Sequence, residues 1–191
     1  MRNMRGRRSF GQKPKKSATE YMVDLLAKKD YSTRQLTEKL RTKGYSGEET
    51  DGAIDKALEW GYLDDLRVAK NVWRFNYEGH QYSVSRILQK LREKGFTAEI
   101  ISEIKAEYDE EALTERDMAV AERLAMAKFG SRLSAEAEEG STVDDGSSEE
   151  QEDGKRKMLD WQTVAAFLFR RGFSDRVCRQ VAGDLLQKNR R

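Results

Sequence analysis

The sequence predicts an all-α protein: three tandem three-helix repeats forming an elongated helical array, straight or curved. Three observations lead there. Charged residues make up 37% of the 191-residue chain and apolar types another 37%, with a single proline, Pro14, to interrupt helices. A hexamer recurs as LRTKGY (40–45), LREKGF (91–96) and LFRRGF (168–173). Its glycines, Gly44, Gly95 and Gly172, are spaced 51 and then 77 residues apart, and the 26-residue excess equals the length of the acidic stretch 131–156. With that stretch excised the third copy falls into register.

Residues 1–16 carry seven basic side chains and no acidic one, and are expected to form a disordered basic arm. The first repeat is expected over 17–62, the second over 63–108, and the third over 109–188. Within the third, 131–156 carries nine acidic side chains against three basic and almost no large apolar group, so it is expected to be a disordered insertion.

Inside each repeat the hexamer reads as a helix stop. A glycine just past a helix end adopts the left-handed conformation without a side-chain penalty, and the residue after it reaches back to the side chain four positions before the glycine. That pairs Tyr45 with Leu40, Phe96 with Leu91, and Phe173 with Leu168. Lys43, Lys94 and Arg171 stand at the negative end of the helix dipole. Eight residues before the glycines stand Leu36, Ile87 and Val164; nine after stand Ala53, Ile104 and Val181. Both sets are expected in the core. Helix starts follow at Ser46 with Glu49 (a capping box), Thr97 and Ser174, and precede at Ser32 with Gln35, Ser83 and Asp160. A leading helix fits in front of each pair, over 19–28, 64–76 and 111–129. Such short helices are marginal alone, so their apolar stripes must pack on neighbours.

Catalytic signatures are not found. The sequence contains no phosphate-cradling glycine loop, no paired cysteines and no histidine spacing suited to a metal. His80 lies in the polar stretch YEGHQYS and reads as a solvated loop residue, while Cys178 falls on an inward stripe and reads as core. Carboxylates such as Asp64, Asp65 and 109–111 suit helix starts. The chain is therefore expected not to be an enzyme and to need no cofactor. No apolar run approaches the ~20 residues needed to cross a bilayer, and the first 16 residues lack a signal peptide's apolar middle, so a cytoplasmic location is expected.

Binding remains. Arg67, Lys70 and Arg74 fall together opposite the stripe of Ala69, Val72, Trp73 and Asn76. Arg86 and Lys90 lie away from Ile87, Leu88 and Leu91, and Arg176 and Arg179 oppose Val177, Val181 and Leu185. With the arm and the tail KNRR (188–191), these outward basic stripes are the expected contact residues for phosphates or an acidic protein groove.

The run LTEKLRTKGYSGEETDGAIDKALEWGYLDDLRVAKNVWR (36–74) resembles the junction between the first two repeats of the RecX family, bacterial regulators of the RecA recombinase. Its marks are Leu-x-x-Lys-Gly at Leu40 to Gly44, then Gly61 and Tyr62, then Asp65, Arg67 and Ala69. SRILQKLREKGF (85–96) is similar to the middle helix of the family's second repeat. Val68 departs from the pattern, standing where the family often has tyrosine. The resemblance implies three tandem three-helix repeats and a regulator that binds in the groove of the RecA filament on single-stranded DNA. It implies damped filament extension, ATP hydrolysis, strand exchange and induction of the SOS response, with DNA as a secondary contact and the chain a monomer. The alternative is a helical-repeat nucleic-acid-binding protein that acts without a recombinase.

Overall fold

The structure, a computed structural model, describes residues 16–139 and 159–188. The basic arm up to residue 15, residues 140–158, which include the acidic stretch from 140 onward, and the tail beyond Lys188 lie outside the described residues. Those described form nine helices and no strand: α1 (Ala18–Leu26), α2 (Thr33–Lys43), α3 (Gly47–Glu59), α4 (Asp65–Glu78), α5 (Val84–Glu93), α6 (Ala98–Ala106), α7 (Glu110–Glu139), α8 (Trp161–Phe169) and α9 (Asp175–Lys188).

The helix stops form as the hexamer requires. Gly44, Gly95 and Gly172 have φ of +102°, +87° and +85°. The amides of Tyr45, Phe96 and Phe173 donate to the carbonyls of Leu40, Leu91 and Leu168 at 3.3, 3.2 and 3.4 Å, closing the loop that satisfies otherwise orphaned helix-end carbonyls. A fourth such stop, at Gly61 (φ +70°), ends α3, with Tyr62 donating to Ala57 at 2.9 Å. Capping boxes open α1 (Ser17 with Glu20), α2 (Ser32 with Gln35) and α3 (Ser46 with Glu49). Ser83, Thr97, Asp160 and Ser174 accept from amides three residues on, as expected. Each such cap is worth about 1 kcal/mol.

The described chain gathers into two compact units, 16–72 with 91–104, and 73–90 with 105–188. In the first, α1, α2 and α3 pack on one another around Met22, Leu36, Leu40, Tyr45 and Ala53. In the second, α8 and α9 pack on each other and on α7 around Phe129, Val164, Leu168, Phe173, Val181 and Leu185. Cys178 is buried here, where loss of solvation pushes its thiol above the usual range. Trp73, also fully buried, lies 5.7 Å from Tyr77 and 5.3 Å from Tyr108 between ring centroids.

One expectation is corrected. The stretch 131–156 was expected to be unstructured from its first residue, yet α7 continues to Glu139. Leu133 is the reason: it follows Phe129 by one turn, falls on the same stripe, and is buried in the same core. Leu159, just before α8, is buried in that core too.

Each unit also contains a joint between consecutive helix triads, built to one plan. In the first, the Ser32 hydroxyl at the start of α2 accepts from the Gln35 amide and donates to the Lys94 carbonyl at the end of α5 (2.6 Å). Asp65, opening α4, accepts from the Thr33 amide at 2.8 Å and its hydroxyl at 3.1 Å. In the second, the Ser83 hydroxyl at the start of α5 accepts from the Arg86 amide and donates to the Gly172 carbonyl after α8 (2.6 Å), while Asp117 of α7 accepts from the Val84 amide at 3.0 Å. The start of one triad's middle helix thus abuts the glycine stop of the next. A side chain would not fit there. A Cβ added at Gly95 would lie 2.8 Å from the Arg34 Cβ, and one at Gly172 would lie 2.9 Å from the Arg86 Cβ.

Candidate partner-binding surfaces

In the first unit the glycine stop at Gly61 turns two large rings outward. Trp60 and Tyr62, 48% and 53% exposed, meet edge to face with centroids 5.8 Å apart. Beside them Val23, Leu26, Ala27, Asp30, Gly61, Tyr62 and Arg67 line an open groove of about 400 Å³. Arg67 is exposed and ion-pairs with Asp30 at 3.6 Å, and its amide donates to Asp64. Both ends of that pair are half exposed, so it fixes the side chain weakly and leaves it open to a partner. Lys70 stands one turn further along α4.

The second unit holds the other five expected contact residues. Arg74 is exposed on α4. Lys90 is drawn inward, its ammonium donating to Asn76 at 3.1 Å and lying 3.4 Å from the centre of the Tyr82 ring. Arg86 is half-buried at the joint, beside Gly172. On α9, Arg179 pairs with Asp175 at 2.8 Å across one turn and Arg176 is exposed. The expected residues lie along α4, α5 and α9, with Arg86 and Lys90 partly committed to holding the fold.

Arg116 and Asp117 on α7 were not anticipated. The Arg116 guanidinium donates to the carbonyls of Tyr77 (2.7 Å) and Tyr82 (3.2 Å) and to Asp117 (3.0 Å), and sits 4.3 Å from the Tyr77 ring centre. Arg123 donates to the His80 carbonyl. Two arginines of α7 thereby pin the 79–83 loop, in which His80 is exposed with φ +49°. Burial lowers the Arg116 pKa despite the neighbouring carboxylate. Burial likewise raises the Asp117 carboxyl, outweighing the Val84 amide and Arg116. A signal existed in neither composition nor period, because adjacent Arg and Asp are common on exposed helices. Among the described residues, no group of acidic, histidine and cysteine side chains could hold a metal, and no helix is long and apolar enough to cross a membrane.

Residues 18–56 match the family model of the first three-helix domain of RecX. The regulatory protein RecX of Vibrio parahaemolyticus is 38% identical over 97 residues, 50% of this chain and 61% of that one. The RecX of Vibrio vulnificus is 31% identical over 126 residues, 66% of this chain and 78% of its relative. The chain belongs to the RecX family. With the V. parahaemolyticus and V. campbellii RecX proteins the match spans about three fifths of the relative's length. Two crystal structures of RecX proteins share the fold. One, from Lactobacillus salivarius, has a TM-score of 0.59 at 15% identity, covering 90% of this chain and 95% of its own. The other has a TM-score of 0.62 at 20% identity, covering 86% and 70%. The RecX fold of helix triads in tandem is thus the fold of this chain.

Proposed function

We propose that this protein binds the RecA recombinase and its filament on single-stranded DNA, and that it acts mainly as an inhibitor. It restrains filament extension, ATP hydrolysis and strand exchange, and so the SOS response, by occupancy rather than catalysis. The observation that carries this reading is the match to regulatory RecX proteins, which reaches 78% of one relative's length. The surface supports it. Trp60, Tyr62 and Arg67 are the residue types that dominate protein interfaces, and they line or adjoin a single groove in the first unit. In this reading the protein is a cytoplasmic monomer, and Arg67, Lys70, Arg74, Arg86, Lys90, Arg176 and Arg179 supply the charge that steers it to an acidic partner.

Turnover of ATP by the RecA of the same species on single-stranded DNA is the test. Inhibition at substoichiometric protein is expected, and no inhibition at equimolar protein would overturn the proposal. Trp60→Ala with Tyr62→Ala should raise the half-inhibitory concentration about 30-fold, the equivalent of about 2 kcal/mol. Salt distinguishes a nucleic-acid-binding array that needs no recombinase. Its binding would weaken by orders of magnitude between low and physiological salt, in proportion to the phosphates contacted.

A further inference from the structure

The face between α1 and α2 in the first unit concentrates positive charge that its own neighbours leave uncancelled. An open groove of about 450 Å³ there is lined by Lys29, Lys39 and Lys43 together with Tyr21 and Tyr31. The ammonium groups of Lys29 and Lys39 lie 4.7 and 5.5 Å from the centre of the Tyr31 ring, and that of Lys43 lies 5.5 Å from the Tyr21 ring. The rings are fixed: Tyr31 is buried, and Tyr21 packs against Tyr45 with centroids 5.9 Å apart. Holding an ammonium over a ring positions it through the ring's quadrupole and keeps its full charge, whereas a carboxylate would cancel it. The one acid in the lining, Glu38, already accepts from Arg34 at 3.0 Å. None of the three lysines is ion-paired with a described residue.

We infer that this groove binds the sugar-phosphate backbone of single-stranded nucleic acid through Lys29, Lys39 and Lys43. Three ammonium groups lining one open channel suit the phosphates of a strand. No arginine fork lines the channel to grip a planar carboxylate at two points. A groove of this size between two helices admits one strand, while a duplex would rest on its rim. The cations lie against the two tyrosine rings, so bases find no open stacking platform there and binding is indifferent to sequence. The inference deepens the reading above, in which single-stranded DNA is a second contact, and rests on it for the choice of ligand.

The test uses the full chain and a fluorescein-labelled thymidine oligomer, with anisotropy titrations between 50 and 200 mM salt. The variant Lys29→Gln, Lys39→Gln, Lys43→Gln should bind at least tenfold more weakly at the low end. Its slope of log affinity against log salt should be shallower by about 2, three phosphates at about 0.7 each. The companion Lys→Arg triple variant should keep the wild-type slope, which separates lost charge from lost folding. An unchanged slope in the glutamine variant would overturn the inference, as would tighter wild-type binding to a duplex than to the single strand. So would a polyglutamate peptide whose binding needs the three lysines while the oligomer's does not. RecA turnover is measured separately: a wild type that binds the oligomer through these lysines yet leaves RecA untouched sinks the regulator reading and keeps the groove.

Discussion

At the start of α2 the carboxylate that caps Thr33 belongs to Asp65, half-buried at the first turn of α4. At the start of α5 the carboxylate that caps Val84 belongs to Asp117, only 15% exposed and pressed against Arg116, itself 7% exposed. Both joints have a serine bridge and a close glycine stop, the bridge reaching the carbonyl before the glycine in the first (Lys94) and the glycine's own carbonyl in the second (Gly172). What differs is the medium around the carboxylate. In the first joint it is a cap on a residue only partly buried. In the second it is also half of a buried ion pair whose other half holds the 79–83 loop, and the Arg116 Nε has no hydrogen-bond partner among the described residues. Similar geometry therefore carries unequal risk. A buried pair gains little over apolar packing but is costly to split, because the surviving charge stays buried.

The largest expected effect tests that inequality directly. Asp117→Ala should cost about 3–5 kcal/mol, since it strands the Arg116 charge. Asp65→Ala should cost about 1 kcal/mol, the worth of a cap. Urea unfolding of the two variants checks this, and equal costs would remove the distinction between the joints.

Next come the glycines. Gly44, Gly95 and Gly172 share a left-handed backbone, which costs any other residue about 1–2 kcal/mol. A Cβ at Gly44 meets nothing within 4 Å, whereas at Gly95 and Gly172 it meets the Cβ of Arg34 and of Arg86. Gly44→Ala should therefore cost only the backbone term, and the other two should cost more than it. If all three lose equal stability, the abutment of helix end and helix start is not tight. Smaller than at Gly95 and Gly172, Ser32→Ala and Ser83→Ala should lose about 1–2 kcal/mol each. Their equality would show that the joints differ in the carboxylate alone.

The shared plan was legible in the sequence and its inequality was not. Period and capping chemistry are local, so the three stops, the six expected helix starts and the inward set of Leu36, Ile87, Val164, Ala53, Ile104 and Val181 could be read from spacing; all six of that set are 1% exposed or less. Partners brought together across the chain could not. Arg116 and Asp117 look like any charged helix surface until Tyr77, Tyr82 and Val84 are seen against them. Leu133 was submerged in the composition of an acidic stretch, although its spacing from Phe129 was there to be used. A basic stripe along a single helix does not reveal the groove, where Lys29 comes from the loop before α2 and Lys39 and Lys43 from α2 itself. Gly61 and Tyr62 form a motif in the sequence, but that the turn leaves Trp60 and Tyr62 half exposed depends on what packs around it.

The smallest effect concerns proton linkage in the second joint. Burial lifts the Asp117 carboxyl above the ordinary carboxylate range, so the folded chain holds that proton more tightly than the unfolded chain does. Stability then falls with rising pH wherever the folded state binds the extra proton. The contribution is complete below the ordinary carboxylate pKa and is lost as pH rises through the raised one. That is the reverse of a salt-bridged carboxylate at an open surface, which loses stability on acidification. Asp117→Asn keeps an oxygen for the Val84 amide and removes the titration. The stability of the wild type relative to this variant should be greatest in acid and decline toward neutrality, as measured by denaturant unfolding from pH 4 to pH 7. A difference that instead grew with pH would mean that Arg116 and the Val84 amide outweigh burial, and that the second joint is as robust as the first.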